Sequence, residues 1–538
     1  MRTTDRLASY TLTSSLVLLG LLVLLAPPAR AADAKETEAV AGAAAEAAPE
    51  KPAIVLNPTP PPPDLDWKKG KGTYLADSLP LLEAFEPAEI GPHPVILILV
   101  DALRPDHLSF HGYPRETSPN LDAFARDGLS FDRFYVAAPW TRPSTTSILT
   151  GLTPTRHRTQ CEGIRLSPAF ETLPEALNKL GYKTAGVVGN GNGAGIAGLD
   201  QGFKHYQDTK FFKGLPTADM VFDEVGAWLD ANKKLKKSFM FTFVVDPHDP
   251  YHGPSPEAEA RWLWEGHPEI LRVPRWEYPK GKDPTPDQRR AMIAVYDSAV
   301  RYTDEALGRL FARLKKNGLW DRATIIVTAD HGDGFGEHRF YKHAHHFWEE
   351  VVRVPMIIRS PKIPAASRGR RVDTLASSVD IWPTIVQIAG GKPDAYARPG
   401  ASLFDVAAGK IDPASRRIFS EYNCFGISRQ MMVAGKYKVV LQQPADEEEF
   451  MRTVTRKDLL PSVIFDREEL QAWDLEADPL EEKNLVPGTD PAKAPPEIKA
   501  LLQEMRKYIE TQPGGPAMQA GEMDEATEAN LRALGYIQ

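Results

Sequence analysis

A chain of 538 residues exceeds the roughly 250–300 at which one hydrophobic core stops growing, so two folded regions with peripheral segments are expected. The composition, 42% hydrophobic and 25% charged, excludes a low-complexity or disordered chain, and the formal net charge of -8 excludes a general nucleic-acid binder. Proline, at 47 residues, is the outlier and implies extended, braced loops.

Residues 1–31 read as an export signal. Arg2 and Arg6 precede an apolar run over residues 16–26, and Ala29-Arg30-Ala31 offers small residues for cleavage after Ala31. The run falls short of the ~20 residues that span a bilayer, which favours a cleaved leader over an uncleaved anchor. A secreted or periplasmic location follows, with proximity to the membrane if the leader is retained. Residues 32–92 form an Ala/Pro-rich tether and lead-in. Within it, Pro58-Thr59-Pro60-Pro61-Pro62-Pro63 favours extended polyproline backbone.

Regular structure begins at residues 94–100, an unbroken apolar run of the kind found in a strand buried on both faces. Runs of the same type follow over residues 184–188, 239–245, 324–328 and 355–358, separated by helical patterns such as 173–180 and 288–316. This alternation predicts an α/β fold with a central, mostly parallel sheet over residues 93–400. Strand-like pieces over 417–421, 431–441 and 472–475, then a helix over 496–511, predict a small α+β subdomain over 401–538. Cys161 and Cys424 read either as one disulfide in an oxidising compartment or as two buried thiols.

Four of the apolar runs lead straight into polar residues: Asp101, Asn190, Asp246 and the pair Asp330-His331. In open α/β sheets that edge is where ligands bind. A single acidic residue after a strand is commonly a turn former, so the recurrence carries the argument. Asp101, Asp330 and His331 supply two carboxylates and an imidazole, a set suited to a divalent Ca, Mn, Zn or Mg ion.

Pro143 is expected to open a helix, since proline favours the first helical position. Thr141 then stands beside free backbone N–H groups that attract an anion such as sulfate or phosphate. Alone it reads as a cap; beside a metal its hydroxyl becomes a nucleophile. The stretch from His338 to His346 is histidine-rich, and there His343 could donate a proton, bind an oxyanion or, with Asp246 and His248, hold a second metal. Lys342 is an anion contact or a surface charge. Asn190 lies in Gly189-Asn190-Gly191-Asn192-Gly193, whose glycines permit close approach to a ligand. His107 and His111 are expected to be structural.

Asp101-Ala102-Leu103-Arg104-Pro105-Asp106 and Thr117-Ser118-Pro119-Asn120 resemble the opening of the sulfatase N-terminal domain, within the alkaline phosphatase superfamily. Pro139-Trp140-Thr141-Arg142-Pro143-Ser144 stands where that family places its nucleophile, and Asp246-Pro247-His248-Asp249-Pro250-Tyr251 resembles its substrate-binding histidine loop. The similarity continues through Ala329-Asp330-His331-Gly332 and Asp380-Ile381-Trp382-Pro383-Thr384 to Leu531-Arg532-Ala533-Leu534-Gly535-Tyr536. It implies an alkaline-phosphatase-like α/β/α sandwich and a metal-dependent hydrolase of sulfate or phosphate esters, either small molecules or esters linked to glycans or lipids. It also implies Asn190, His248 and Lys342 on the substrate, and His343 facing the leaving group.

The departures from the family pattern are chemical. Thr141 replaces the Cys or Ser that is converted to formylglycine, Thr145 replaces the motif arginine, and Ala102 replaces a second Asp. Oxidising a threonine gives a ketone, so no formylglycine is expected. Related phosphodiesterases use a metal-bound threonine, which implies phosphate mono- or diester cleavage through Thr141. The alternatives are an envelope phosphoglycerol- or phosphoethanolamine-type transferase and an inactive glycan-binding relative. Retention of Asp101, Thr141, Asp330 and His331 together argues against the inactive relative.

Overall fold

The computed structural model describes residues 79–534 apart from residues 84, 213–214, 252, 254, 270–283, 454–463, 513–518 and 521–524. The expected export signal and residues 32–78 of the tether lie outside the described residues.

Eight strands form the central sheet: Val95–Val100 (β1), Leu129–Phe131 (β2), Lys183–Val188 (β3), His205–Gln207 (β4), Ser238–Val244 (β5), Thr324–Thr328 (β6), Met356–Arg359 (β7) and Arg370–Val372 (β8). Their order is β8-β2-β7-β6-β1-β5-β3-β4. Every residue of β1 is buried, because a central strand has no solvent face and both sets of alternating side chains must be apolar. Leu97 sits opposite Phe241 of β5 and Ile326 of β6, so the three longest apolar runs are in register at the middle of the sheet.

Eight helices matter for the site and its surroundings: Pro119–Arg126 (α1), Thr141–Thr150 (α2), Leu173–Lys179 (α3), Ala218–Asn232 (α4), Pro286–Lys316 (α5), Ile381–Ile388 (α6), Pro496–Thr511 (α7) and Glu525–Ala533 (α8). Helices α1 and α4 pack on α5, and α2, α3 and α6 pack on one another, giving the two helical layers of an α/β/α sandwich. Helix α5 begins two residues ahead of the expected 288. There Thr285 accepts a hydrogen bond from the Gln288 N–H (3.2 Å) and the Gln288 side chain accepts one from the Thr285 N–H (2.9 Å), a reciprocal cap.

The run at 355–358 forms β7, the one strand that runs antiparallel to the rest, pairing with β6 and β2. The chain leaves the C-terminal end of β6, makes its polar excursion there and re-enters beside β6 from the same edge. No crossover carries it to the far end, so the strand must run the other way. The short strands β2, β4 and β8 have three residues each, too few to show a period in sequence.

A second, antiparallel sheet follows: Arg417–Cys424 (β9), Ile427–Ala434 (β10), Tyr437–Gln442 (β11) and Glu469–Asp474 (β12). The expected single piece at 431–441 is a hairpin. Gly435, at φ 54°, supplies the left-handed turn that reverses the chain between Ala434 and Tyr437. On one face Met432, Val439, Leu441 and Leu470 pack beneath Ile498, Leu502 and Met505 of α7. On the other, Ile418, Tyr422, Met431 and Val433 join the core of the main sheet. Cys161 and Cys424 form a disulfide with a Cα–Cα distance of 5.4 Å, of the two sequence alternatives the one requiring an oxidising environment.

Candidate active site

Strands β6, β1, β5 and β3 are adjacent and parallel, so their C-terminal ends bring Asp330-His331, Asp101, Asp246-Pro247-His248 and Asn190 to one edge. Thr141 meets them from α2. That helix starts at Thr141 rather than at the expected Pro143, because proline is tolerated throughout a first turn whose N–H groups have no intrahelical partner. Ser144 Oγ donates to the Asp330 carbonyl at 2.6 Å and ties the helix to the ligand loop.

Thr141 Oγ1 lies 3.1 Å from His331 Nε2, which is 3.3 Å from Asp330 Oδ2 and 3.5 Å from Asp101 Oδ1. None of the four side chains reaches solvent. His331 Nδ1 donates to the Gly332 carbonyl at 2.8 Å, so in the neutral ring the lone pair on Nε2 faces the carboxylates. Gly332 is required by space, since a Cβ there would stand 2.0 Å from the Glu350 carbonyl oxygen.

Asp101 Oδ1 and Asp330 Oδ2 are buried without hydrogen-bond partners. Burial pushes the pKa of both carboxyls up, and for Asp101 the neighbouring Asp330 adds to it. Two desolvated carboxylates converging on an imidazole nitrogen and an alcohol oxygen are what a divalent cation would neutralise, so the donor set fits such an ion. Asp101, Asp330 and His331 are also the one group among the described residues with ligand atoms within 4.8 Å of one another.

Asn190 is drawn into this cluster: its Nδ2 donates to Asp101 Oδ2, and its Oδ1 accepts from the Asn192 N–H at 2.7 Å. The His248, His331 and His343 rings are contiguous, with centroids 4.0 Å apart for His331 and His343 and 4.8 Å for His248 and His343. His248 Nδ1 donates to the Asp249 carbonyl, and burial, helped by His331, lowers its pKa to about 3, so the ring is neutral near pH 7. His343 Nδ1 is held by Asp333 Oδ1 at 3.0 Å, while Asp333 Oδ2 accepts from Tyr251 Oη at 2.8 Å. Lys342 is buried against Asp249 and lies 5.2 Å from the centre of the Tyr251 ring, so it is no surface charge.

The expected second metal set does not assemble. Asp246 Oδ1 accepts from the Ala218 N–H at 3.2 Å, at the start of α4, so this carboxylate serves a helix N-terminus and does not close a ligand group with His248 and His343. His107 is bonded to Asp297 at 2.6 Å, which also accepts from Tyr113 and Arg115. Burial lowers the pKa of His111 to about 3. Asp333 and Asp297 were not evident as partners in the sequence; the only signal for Asp333 is its place three residues after Asp330.

His338, at the edge of this loop, has surroundings that favour its charged form. Its Nδ1 meets Glu350 Oε1 and its Nε2 meets the Leu480 carbonyl, both at 2.9 Å, and the ring stacks on Trp348 at 3.8 Å. Burial opposes the charge, but Glu350 and Glu481 outweigh it and raise the pKa. A pKa raised by folding stabilises the protein fully below the unfolded value near 6.5, and the contribution fades as pH rises through the folded value. His338→Gln should therefore lower Tm at pH 6, with a gap to wild type that narrows by pH 9. Equal gaps at both pH values would show the ring to be neutral.

A mostly parallel sheet with an alcohol, two carboxylates and an imidazole at its C-terminal edge has the parts of a metal-dependent ester hydrolase. The sulfatase family model matches residues 93–391, more than half of the 538, and the chain belongs to that family. It is similar to an N-acetylglucosamine-6-O-sulfatase of Bacteroides thetaiotaomicron, 25% identical over 503 residues, covering 77% of this chain and 86% of the relative. It is also similar to a choline-sulfatase of Rhizobium meliloti, 26% identical over 459 residues, covering 74% and 83%. A phosphonate monoester hydrolase of Agrobacterium radiobacter shares the fold, with a TM-score of 0.58 at 20% identity over 78% of this chain and 95% of that one.

Proposed function

We propose that this sulfatase-family hydrolase cleaves phosphate esters in preference to sulfate esters, with Thr141 as the attacking group. The observation that carries this reading is the burial of the Thr141 hydroxyl among His331, Asp101 and Asp330 at the N-terminus of α2, where a formylglycine precursor would otherwise stand. Asp330 accepts a hydrogen bond from that hydroxyl. A divalent cation held by Asp101, Asp330 and His331 would supply Lewis-acid stabilisation of the alkoxide and of the ester's charge.

The N–H groups at the start of α2 hold the ester's nonbridging oxygens, with His248 and Asn190 beside them. The Thr141 hydroxyl gives its proton to the Asp330 carboxylate it hydrogen-bonds, and Oγ bonds to phosphorus as the leaving oxygen departs on the opposite side. His343, oriented by Asp333, delivers the proton that the leaving oxygen needs. Water then attacks phosphorus and frees Thr141. A formylglycine hydrate can expel sulfate by breaking its own C–O bond, because its carbon bears a second hydroxyl. Threonine has none, so release requires a second attack on the central atom, and this favours phosphorus.

A cavity of about 540 Å³ where the histidine loop meets the second sheet supports a glycan-linked leaving group. Trp348, Arg467, Glu469 and Gln471 line it, beside the buried Trp473 and Arg429. Residues 93–400 are proposed as the catalytic region and 401–538 as the subdomain that walls this cavity. The leader and the disulfide support export, and no helix of the described residues is long and apolar enough to cross a membrane.

Metal analysis followed by assay on aryl sulfate, aryl phosphate monoester and aryl phosphate diester tests the proposal. A phosphate ester should be turned over fastest, and equally by protein made in a host lacking a formylglycine-generating enzyme. Activity confined to aryl sulfate would overturn the preference.

A further inference from the structure

We infer that Asn530, on the C-terminal helix α8, is a positioning residue for Asn190 in the proposed site. It lies 340 residues from Asn190 in sequence, yet its side chain is only 2% exposed and clasps the backbone on both sides of it. Oδ1 of Asn530 accepts from the Gly191 N–H at 2.9 Å, and Nδ2 donates to the Gly189 carbonyl at 3.3 Å. A primary amide offers an acceptor and donors on one short side chain, so this clasp needs asparagine: alanine loses both bonds and aspartate loses the donor.

The packing is close: a Cβ at Gly191 would stand 3.0 Å from Asn530 Oδ1 and 3.0 Å from Leu531 Cδ2, so a side chain there would crowd the helix seated on the loop. From the other side Arg142, the residue after the nucleophile, donates to Asn192 Oδ1 at 2.8 and 3.2 Å. The loop is thus held between α2 and α8, and this hold aims the Asn190 amide at Asp101. Residues Gln519–Ala520, pairing with Ile164–Arg165, bring the C-terminal segment alongside the same region. The C-terminal helix therefore acts on the site through Asn190.

The inference rests on Asn190 serving the proposed site, and a double-mutant cycle in the full-length protein tests the two separately. Asn190→Ala, Asn530→Ala and the double variant are compared for Mn²⁺ affinity by titration and for kcat/KM on bis(4-nitrophenyl) phosphate. Asn530→Ala should weaken one or both by about tenfold, the effect of one or two lost buried hydrogen bonds. In the Asn190→Ala background the same change should cost less than about twofold. Glu528→Ala, an exposed change on the same helix, should leave both readouts unchanged. If Asn530→Ala does not fold, the near-isosteric Asn530→Asp carries the same cycle. Equal losses in both backgrounds would show a merely structural residue and overturn the inference, as would a silent Asn530 variant beside an impaired Asn190→Ala. A silent Asn190→Ala would instead remove Asn190 from the proposed site, and the inference with it.

Discussion

Replacement of Thr141 by alanine is expected to lower kcat by at least about a thousandfold while leaving the fold and most of the metal affinity in place. The substitution removes the hydroxyl and the γ-methyl; Asp101 stays anchored at the end of β1, and Asp330 and His331 just past the end of β6. Thr141→Ser keeps an alcohol on the same backbone and should retain part of the activity. Thr141→Cys should not be converted to formylglycine, because Thr145 occupies the place of the motif arginine. Mass spectrometry should find Thr141 unmodified at rest and, with a slow substrate, a phosphoryl adduct on it. Turnover like that of wild type in Thr141→Ala would remove the threonine from the chemistry and leave water as the attacker.

Asp330→Asn is expected to have a comparable effect on turnover by a different route. A neutral amide in place of a charged ligand should weaken metal binding by more than the 10–100-fold typical of substitutions one shell further out, so turnover should fall below about 1% of wild type. In metal-free protein the sign reverses. Asp330 and Asp101 are both fully buried and face one another, so removing one of two like charges should raise Tm. The two measurements together separate a metal ligand from a structural carboxylate, since loss of a merely structural hydrogen bond would lower Tm as well as activity. Unchanged metal content in Asp330→Asn would reject the ligand assignment.

Much of the site was legible because its residues adjoin strands that are themselves legible. Asp101 follows β1 and Asp330-His331 lie just past β6, and those strands stand out because burial on both faces demands an unbroken apolar run. Thr141 was recognisable from its motif, although the start of its helix shifted because proline is acceptable at several first-turn positions. His343 was legible within the histidine-rich stretch 338–346, whereas Asp333, which orients it, offered only its proximity to Asp330.

Sequence by itself determined the alternation of strand and helix, the sheet edge that carries the polar residues, and the grouping of Asp101, Asp330 and His331 there, because each depends on local pattern and on the chain direction of parallel strands. Tertiary structure alone decided the rest. It bonded Asp246 Oδ1 to the start of α4, reversed β7, folded residues 431–441 into a hairpin, joined Cys161 to Cys424 and brought Asn530 to the Asn190 loop. Apart from the hairpin, whose signal is one glycine, these outcomes rest on how distant elements pack. An Asp carboxylate, a free thiol or an Asn amide looks the same in sequence whichever partner it meets; the partner is selected by the geometry of burial, where an unsatisfied polar group costs about 1–3 kcal/mol and so must find one.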